Sequence, residues 1–254
     1  MLKFLRRSTA SRMTSSDPVC IIGRHGLIGS ALAKRFDKVT SFPTDETKAV
    51  FHFGSYSHMD FELNSSYLMK RTLDEFTELL PLCQKQGIRF IYPSSALIYE
   101  KDNEFSRFKK ILEQLASCYK TVSLGLRIFP VYGPGEQRSV ISKWCREMKA
   151  GKQPVIYGDG KQGRDFIYVD DVADQIMSII EKPFWNSKIV DIGSGRKTAF
   201  NDIVSMINRS LDSNIEPYYI EPPADYSDGI CCEDALPVKV SVEDGINKIL
   251  EDVA

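Results

Sequence analysis

Apolar residues follow two different spacings along this chain, and stretches with the two spacings alternate. Short apolar runs predict strands at 19–22, 39–42, 49–53, 89–92 and 123–128. Apolar positions at helical spacing predict helices over 30–36, 66–86, 104–118 and 139–150, with another starting near residue 170. Strands that alternate with helices favour an α/β fold with a doubly wound, mostly parallel sheet.

Composition divides the chain into three predicted regions. Residues 1–16, MLKFLRRSTASRMTSS, hold four basic and no acidic residues, which is typical either of an organellar transit peptide or of a disordered basic tail. Met13 is an alternative start. The alternating pattern runs through 17–182, the predicted dinucleotide-binding domain. Residues 183–254 have shorter elements, so we predict a small C-terminal substrate-binding lobe there, which can interleave with the first domain.

Charge and cysteine usage exclude several classes of protein. The net charge is −1, so no overall positive field exists to gather nucleic acid, and no apolar run reaches the 18 to 20 residues of a membrane span. The six cysteines form no CxxC pair, which predicts reduced thiols and a cytoplasmic location. His25, His52 and His58 share no metal-ligand spacing, so we predict no metal site.

Three glycines, Gly23, Gly26 and Gly29, stand between the first predicted strand and the first predicted helix, in GRHGLIG. Missing Cβ atoms let such a backbone turn tightly and approach a diphosphate, and the N-terminus of the helix then faces the anion. The turn predicts a Rossmann-type sheet that binds a nicotinamide dinucleotide. The residues predicted to contact the cofactor are Gly23, Arg24, His25, Gly26, Leu27, Ile28, Gly29, Phe53, Gly54 and Ser55. Lys109 joins them through the family resemblance described next.

The spacing GxxGxxG resembles that of the short-chain dehydrogenase/reductase superfamily. Four further blocks resemble its extended subgroup, the NAD-dependent epimerase/dehydratase family of nucleotide-sugar enzymes: FIYPSSALIY at 90–99, RIFPVYGPG at 127–135, GRDFIYVDDVAD at 163–174 and IVDIGSG at 189–195. The gap after the second strand is short for this family, so a strand and a helix are expected to be missing or reduced there.

The resemblance implies a catalytic serine, tyrosine and lysine. Ser95 stands at the serine position, and FSRFKKILE at 105–113 resembles the helix that carries the other two, with Lys109 at the lysine position. The tyrosine position holds Phe105, which has no proton to exchange. Two interpretations stay open: another hydroxyl such as Tyr99 serves, or the acid/base chemistry is weakened or lost while cofactor binding remains.

The resemblance also implies a nucleoside-diphosphate sugar as substrate. Arg164 matches the arginine that grips the diphosphate, whereas Pro130 replaces an asparagine that helps to hold it. Ala96 and Leu97 stand where dehydratases of the group carry an acidic pair, which leaves epimerase or reductase chemistry. A non-catalytic dinucleotide-binding subunit or redox sensor is the alternative function.

Two further expectations follow from the resemblance. The family favours NAD, but the position for an acidic residue at the end of the second strand is near Phe42 and Pro43, and Asp45 comes a little late. Arg24 could instead meet a 2′-phosphate, so NADP is also open. Helices 66–86 and 104–118 correspond to those through which members dimerise, so a homodimer is expected.

Overall fold

The computed structural model describes residues 12–54, 58–182, 188–224 and 226–252. Its centre is a six-stranded sheet in the order β10-β5-β4-β3-β1-β2, in which every neighbouring pair is parallel. The strands are β1 (Val19–Ile22), β2 (Val39–Thr40), β3 (Ala49–His52), β4 (Arg89–Ser95), β5 (Ser123–Ile128) and β10 (Lys188–Ile192). The predicted α/β class and parallel Rossmann-type sheet are confirmed.

Eight helices cover the sheet in the described part of the chain. They are α1 (Leu27–Ala33), α2 (His58–Gln86), α3 (Leu97–Glu100), α4 (Glu104–Ser117), α5 (Val140–Lys149), α6 (Val169–Ile180), α7 (Phe200–Leu211) and α8 (Val242–Asp252). The backbone of Asn64 is not helical, so α2 is kinked there. None of these helices is long and apolar enough to cross a bilayer.

Side chains of the strands alternate between two hydrophobic clusters, one on each face of the sheet. Val19 and Ile21 of β1 belong to the cluster that contains α1, α5, α6, α7 and α8. Cys20 belongs to the cluster that contains α2 and α4. This alternation follows from the two-residue period of a strand, and it explains why β1 is apolar at every position.

Three two-stranded sheets lie outside the main sheet. β6 (Val131–Tyr132) pairs with β9 (Ile167–Tyr168), β7 (Val155–Tyr157) with β12 (Tyr218–Ile220), and β8 (Gly163–Asp165) with β11 (Lys197–Ala199). In two of these pairs, β7 with β12 and β8 with β11, one strand comes before residue 182 and the other after it. The same is true of β5 and β10 in the main sheet. The division at 182 into a dinucleotide domain and a lobe stays a prediction, with the two parts interleaved.

The connection from β2 to β3 is reduced, as expected. Residues 41–48 form neither helix nor strand. The strand predicted at 39–42 ends earlier, at Thr40, because its hydroxyl donates to the carbonyl of Phe42 at 2.8 Å and the chain bends there. Pro43 then has no N–H to continue a ladder.

The segment predicted as a tail is described from residue 12 onward. Met13 is fully buried, and its N–H donates to the carbonyl of Ile180 at 3.3 Å. This part of the segment therefore packs against the end of α6. The first helix also differs from its predicted range of 30–36, since it begins at Leu27 directly after Gly26.

Candidate active site

The glycine turn between β1 and α1 is packed too closely for side chains at two of its three glycines. Gly23 has a positive φ of +83°, and a Cβ there would lie 2.5 Å from the carbonyl of Phe53 at the end of β3. A Cβ on Gly29 would lie 2.2 Å from the carbonyl oxygen of Gly23. The turn is therefore held between the neighbouring strand end and the first helix, as a diphosphate-binding turn requires.

Gly26 is the residue from which α1 begins, and it provides no side-chain cap. The first N–H groups of a helix have no partner inside the helix, so without a cap they are available to an anion. Gly26 and the next three residues line a cleft at this end of the sheet. This geometry fits the predicted cradle.

The cleft has a volume of about 680 Å³ and lies at the carboxyl ends of the parallel strands, where ligands bind in open α/β sheets. Its walls come from the glycine turn and α1, the ends of β3, β4 and β5, the helix α4, and the segment after β6. The lining residues are Gly26, Leu27, Ile28, Gly29, Phe53, Pro93, Ser94, Ser95, Phe105, Lys109, Ile128, Phe129, Val131, Gly135, Glu136, Gln137 and Arg138.

Three residues picked out by the sequence meet in this cleft. Ser95 ends β4, and its hydroxyl accepts the N–H of Leu97 at 3.2 Å. Phe105 and Lys109 stand one turn apart on α4, which begins at a capping box formed by Asn103 and Ser106. The cap fixes the start of the helix, and thereby the face that carries Phe105 and Lys109 toward the cleft.

Lys109 is almost completely buried, with 3% of its surface exposed. Its ammonium donates to the carbonyl of Pro93 at 3.2 Å. Burial lowers the pKa of Lys109 to about 8, although the charge of Glu113 acts in the opposite direction. The side chain can therefore exchange a proton close to neutral pH.

Tyr99 lies outside the lining of the cleft and is held by two charged groups. Its hydroxyl accepts from Arg127 Nη1 at 2.7 Å and donates to Asp191 Oδ1 at 3.0 Å. Burial raises the pKa of Tyr99; the Asp191 carboxylate also raises it, whereas Arg127 lowers it. The structure does not bring Tyr99 together with Ser95 and Lys109.

Glu113 connects the helix of Lys109 to the strand ends, a role that the sequence analysis did not assign. It accepts from Arg127 Nε at 2.9 Å and Nη2 at 2.7 Å, and from the Ser94 hydroxyl at 2.6 Å. The only sequence signal was the position of Glu113, one helical turn after Lys109. The pairing with Arg127 depends on tertiary structure.

The segment after β6 supplies the wall that sequence analysis missed. Glu136 accepts the N–H groups of Arg138 and Ser139, the latter at 2.7 Å. These bonds fold the chain over the start of α5. They keep residues 135–138 at the wall of the cleft. The motif RIFPVYGPG ends at Gly135, so the motif alone did not identify the three residues that follow.

A protein-family comparison identifies the central part of the chain. Residues 106–193 match the model of the NAD dependent epimerase/dehydratase family. This segment is similar to that family. The match includes Lys109 and the blocks RIFPVYGPG and GRDFIYVDDVAD. It also includes the block IVDIGSG up to its last two residues. The sequence-based recognition is therefore confirmed.

Solved structures of nucleotide-sugar epimerases share the fold over most of the chain. A UDP-N-acetylglucosamine 4-epimerase from Methanobrevibacter ruminantium matches with a TM-score of 0.80 and 19% identity, covering 94% of this chain and 98% of that one. UDP-glucose 4-epimerase from Thermotoga maritima matches with a TM-score of 0.77 and 20% identity, covering 92% and 98%. UDP-glucuronic acid 4-epimerase from Bacillus cereus matches with a TM-score of 0.77 and 18% identity, covering 93% and 98%.

Two of the residues predicted to bind the substrate, Arg164 and Pro130, lie outside the lining of the cleft, whereas the third, Ser95, belongs to it. Arg164 Nη1 donates to the carbonyl of Ser227 at 3.0 Å, and the guanidinium lies over the rings of Phe200 and Tyr226 at 5.7 and 5.6 Å. Pro130 is exposed, and its carbonyl accepts the N–H of Ile167. The two rings hold the guanidinium of Arg164 beside the small sheet of β8 and β11, to which Arg164 belongs.

The other residues predicted to contact a cofactor surround the glycine turn. Arg24 Nε donates to His25 Nε2 at 3.2 Å, and Gly54 directly follows Phe53 beside Ile22. Ser55 lies outside the described residues. Among the described residues, no three His, Cys, Asp or Glu side chains are grouped as metal ligands.

Proposed function

We propose that this protein is an NAD(P)-dependent epimerase or reductase of nucleoside-diphosphate sugars whose acid/base chemistry is altered. The observation that carries the proposal is that the glycine turn, Ser95 and Lys109 line one cleft at the carboxyl ends of the parallel strands. The family match and the nucleotide-sugar enzymes of the same fold support it. The Bacillus cereus epimerase was solved with NAD and UDP-glucuronic acid.

The residues in and beside the cleft suit the diphosphate and the nicotinamide ribose of a dinucleotide. The turn from Gly23 to Gly29 would hold the diphosphate against α1, and Phe53 with Gly54 would cover its other side. Lys109 would donate to the nicotinamide ribose. The bound cofactor supplies the hydride chemistry, and the protein positions the sugar carbon against it.

Proton transfer is the step that this chain's residues support least. Ser95 can hydrogen-bond a sugar hydroxyl, but Phe105 cannot take the proton from it. Tyr99, the other hydroxyl considered, is held by Arg127 and Asp191 away from the cleft. We therefore expect slow turnover rather than the full activity of an epimerase.

Arg164 is the residue we assign to the diphosphate of the sugar nucleotide. Its guanidinium is fixed by Phe200 and Tyr226, and a planar, bidentate cation suits a diphosphate. Pro130 offers no side-chain amide at the position where the family has asparagine. We expect a weaker grip on this part of the substrate.

Phe105 is also the observation that favours the second candidate, a non-catalytic dinucleotide-binding protein that acts as a partner subunit or redox sensor. Both candidates predict cofactor binding, so turnover decides between them. The full chain should be titrated with NADH and NADPH while nicotinamide fluorescence is followed. It should then be mixed with oxidised cofactor and UDP-glucose, UDP-N-acetylglucosamine or UDP-glucuronic acid.

The results separate the two candidates. Binding followed by a change in nicotinamide absorbance or by an epimerised sugar supports the enzyme. Binding without either, over long incubation with all three sugars, supports the non-catalytic protein. If neither dinucleotide binds, both candidates are wrong.

A homodimer and a cytoplasmic location complete the proposal. Tyr67 of α2 and Ile111 of α4 are large apolar side chains that are 58% and 45% exposed, and the two helices pack together. Light scattering of the full chain should give the mass of a dimer, and Ile111→Glu should give a monomer. A fluorescent fusion, with and without residues 1–12, tests the location against organellar import.

A further inference from the structure

The carboxyl ends of β1 and β2 lie side by side, and they carry the residues that would meet the adenosine ribose. Cys20 pairs with Thr40, so the chain beyond β2 emerges next to the end of β1 and the glycine turn. In dinucleotide-binding folds an acidic residue at this point binds the 2′-hydroxyl of NAD, whereas an arginine accommodates the 2′-phosphate of NADP.

No carboxylate follows β2 at that position. The residues there are Ser41, Phe42 and Pro43, and the Phe42 side chain is 79% exposed. None of these three side chains carries a negative charge, so they provide no anion to hold a ribose hydroxyl. The end of β2 therefore lacks the group that selects NAD.

The next carboxylates along the chain after β2 belong to a turn at the opposite edge of the sheet. Asp45 and Glu46 occupy the centre of a turn closed by the Thr47 N–H and the Thr44 carbonyl at 3.0 Å. The next residue, Lys48, donates its N–H to the carbonyl of Pro18, which precedes β1. By this point the chain has already returned to the amino edge, away from the glycine turn.

Arg24 brings a cation to the carboxyl edge. It is the second residue of the glycine turn and is half-buried. Its Nε donates to His25, while its Nη1 and Nη2 bond no residue in the described part of the chain, and no described carboxylate lies within ion-pair distance. A guanidinium with two parallel donors suits a phosphate group.

We infer that the site prefers NADP(H) to NAD(H), and that Arg24 holds the 2′-phosphate. The inference rests on the proposed dinucleotide site and adds the identity of the cofactor. It sets this chain apart from the Bacillus cereus epimerase of the same fold, which was solved with NAD.

Titration of the full chain with NADPH and NADH, followed by nicotinamide fluorescence, tests the inference. We expect NADPH to bind at least tenfold more tightly. Arg24→Gln should raise the Kd for NADPH about tenfold and that for NADH less than twofold. The matched control is Lys38→Gln, which removes an exposed positive charge just before β2, at the amino edge, and should change neither Kd.

A second variant tests the strand end directly. Ser41→Asp should weaken NADPH binding and strengthen NADH binding, and 2′,5′-ADP should compete with NADPH better than 5′-AMP does. NADH binding as tightly as NADPH would overturn the inference and leave the proposed function intact. An Arg24→Gln variant with an unchanged preference would overturn the assignment of Arg24 to the 2′-phosphate. Failure of both dinucleotides to bind would overturn the proposed function as well.

Discussion

The ammonium nitrogen of Lys109 lies 5.3 Å from the centre of the Phe105 ring. A cation over an aromatic face is attracted by the ring, and this contact supports the buried lysine. In the family pattern a phenol occupies the place of that ring, and the lysine lowers its pKa. This cleft therefore keeps the cation and the serine while it lacks the hydroxyl on which they would act.

Phe105→Tyr should restore a proton carrier at the point where the lysine already lies. We expect turnover of a UDP-sugar to rise by about 100-fold or more, the usual contribution of a positioned acid or base. Nicotinamide absorbance and product analysis by NMR would measure it. Phe108→Tyr is the matched control, because Phe108 is buried on the same helix outside the lining of the cleft. A folded, cofactor-binding Phe105→Tyr variant with no gain would contradict the prediction.

Lys109→Met should change how stability depends on pH. The pKa of Lys109 falls from 10.5 to about 8 on folding, mainly through burial. Between pH 8 and pH 10.5 the unfolded chain binds the proton more tightly than the folded chain, so the free energy of unfolding rises with pH. Below pH 8 both states are protonated, and the full cost of burying the charged lysine lowers the stability. The wild-type free energy of unfolding, relative to the variant, should rise by about 3 kcal/mol from pH 8 to 10.5.

Urea unfolding at several pH values would measure this difference. Lys110→Met serves as the control, because Lys110 is the adjacent lysine and is exposed. Its stability should follow the wild-type curve. A difference between wild type and Lys109→Met that does not vary with pH would show that the lysine keeps an ordinary pKa in the folded protein.

Arg127→Met should destabilise the fold through Glu113. The Glu113 side chain is 7% exposed and the Arg127 side chain 20%, and the two are joined by paired hydrogen bonds. Removing the arginine leaves a buried carboxylate without its partner, which costs about 3 kcal/mol. Chemical denaturation would measure the loss. Arg107→Met, which breaks an exposed pair between α4 and Asp102 just before that helix, should leave the melting temperature almost unchanged.

The sequence predicted the parts of this site that depend on local patterns. The strand and helix on either side of Gly26 and the one-turn spacing of Phe105 and Lys109 are short-range features, so their periodicity was enough. The positions of Tyr99 and Glu113 depend on Arg127 and Asp191, which come from β5 and β10. Such contacts between distant segments leave no periodic signal, and this is why Tyr99 could be considered a proton carrier before its partners were known.

Gly26→Ala and Gly29→Ala should separate binding from folding in the glycine turn. A Cβ on Gly29 would lie 2.2 Å from a backbone oxygen, so the turn must shift, and we expect both a lower melting temperature and a loss of dinucleotide binding.

Gly26 has an ordinary φ of −75°, and its Cβ would lie 3.3 Å from the nearest atom. The Gly26→Ala variant should therefore keep its melting temperature within a few degrees. Its added methyl group would stand where the diphosphate approaches α1, so the Kd for NADPH should rise at least tenfold. Thermal unfolding and fluorescence titration measure the two effects, and unchanged affinity in a folded Gly26→Ala variant would mean that the diphosphate lies elsewhere.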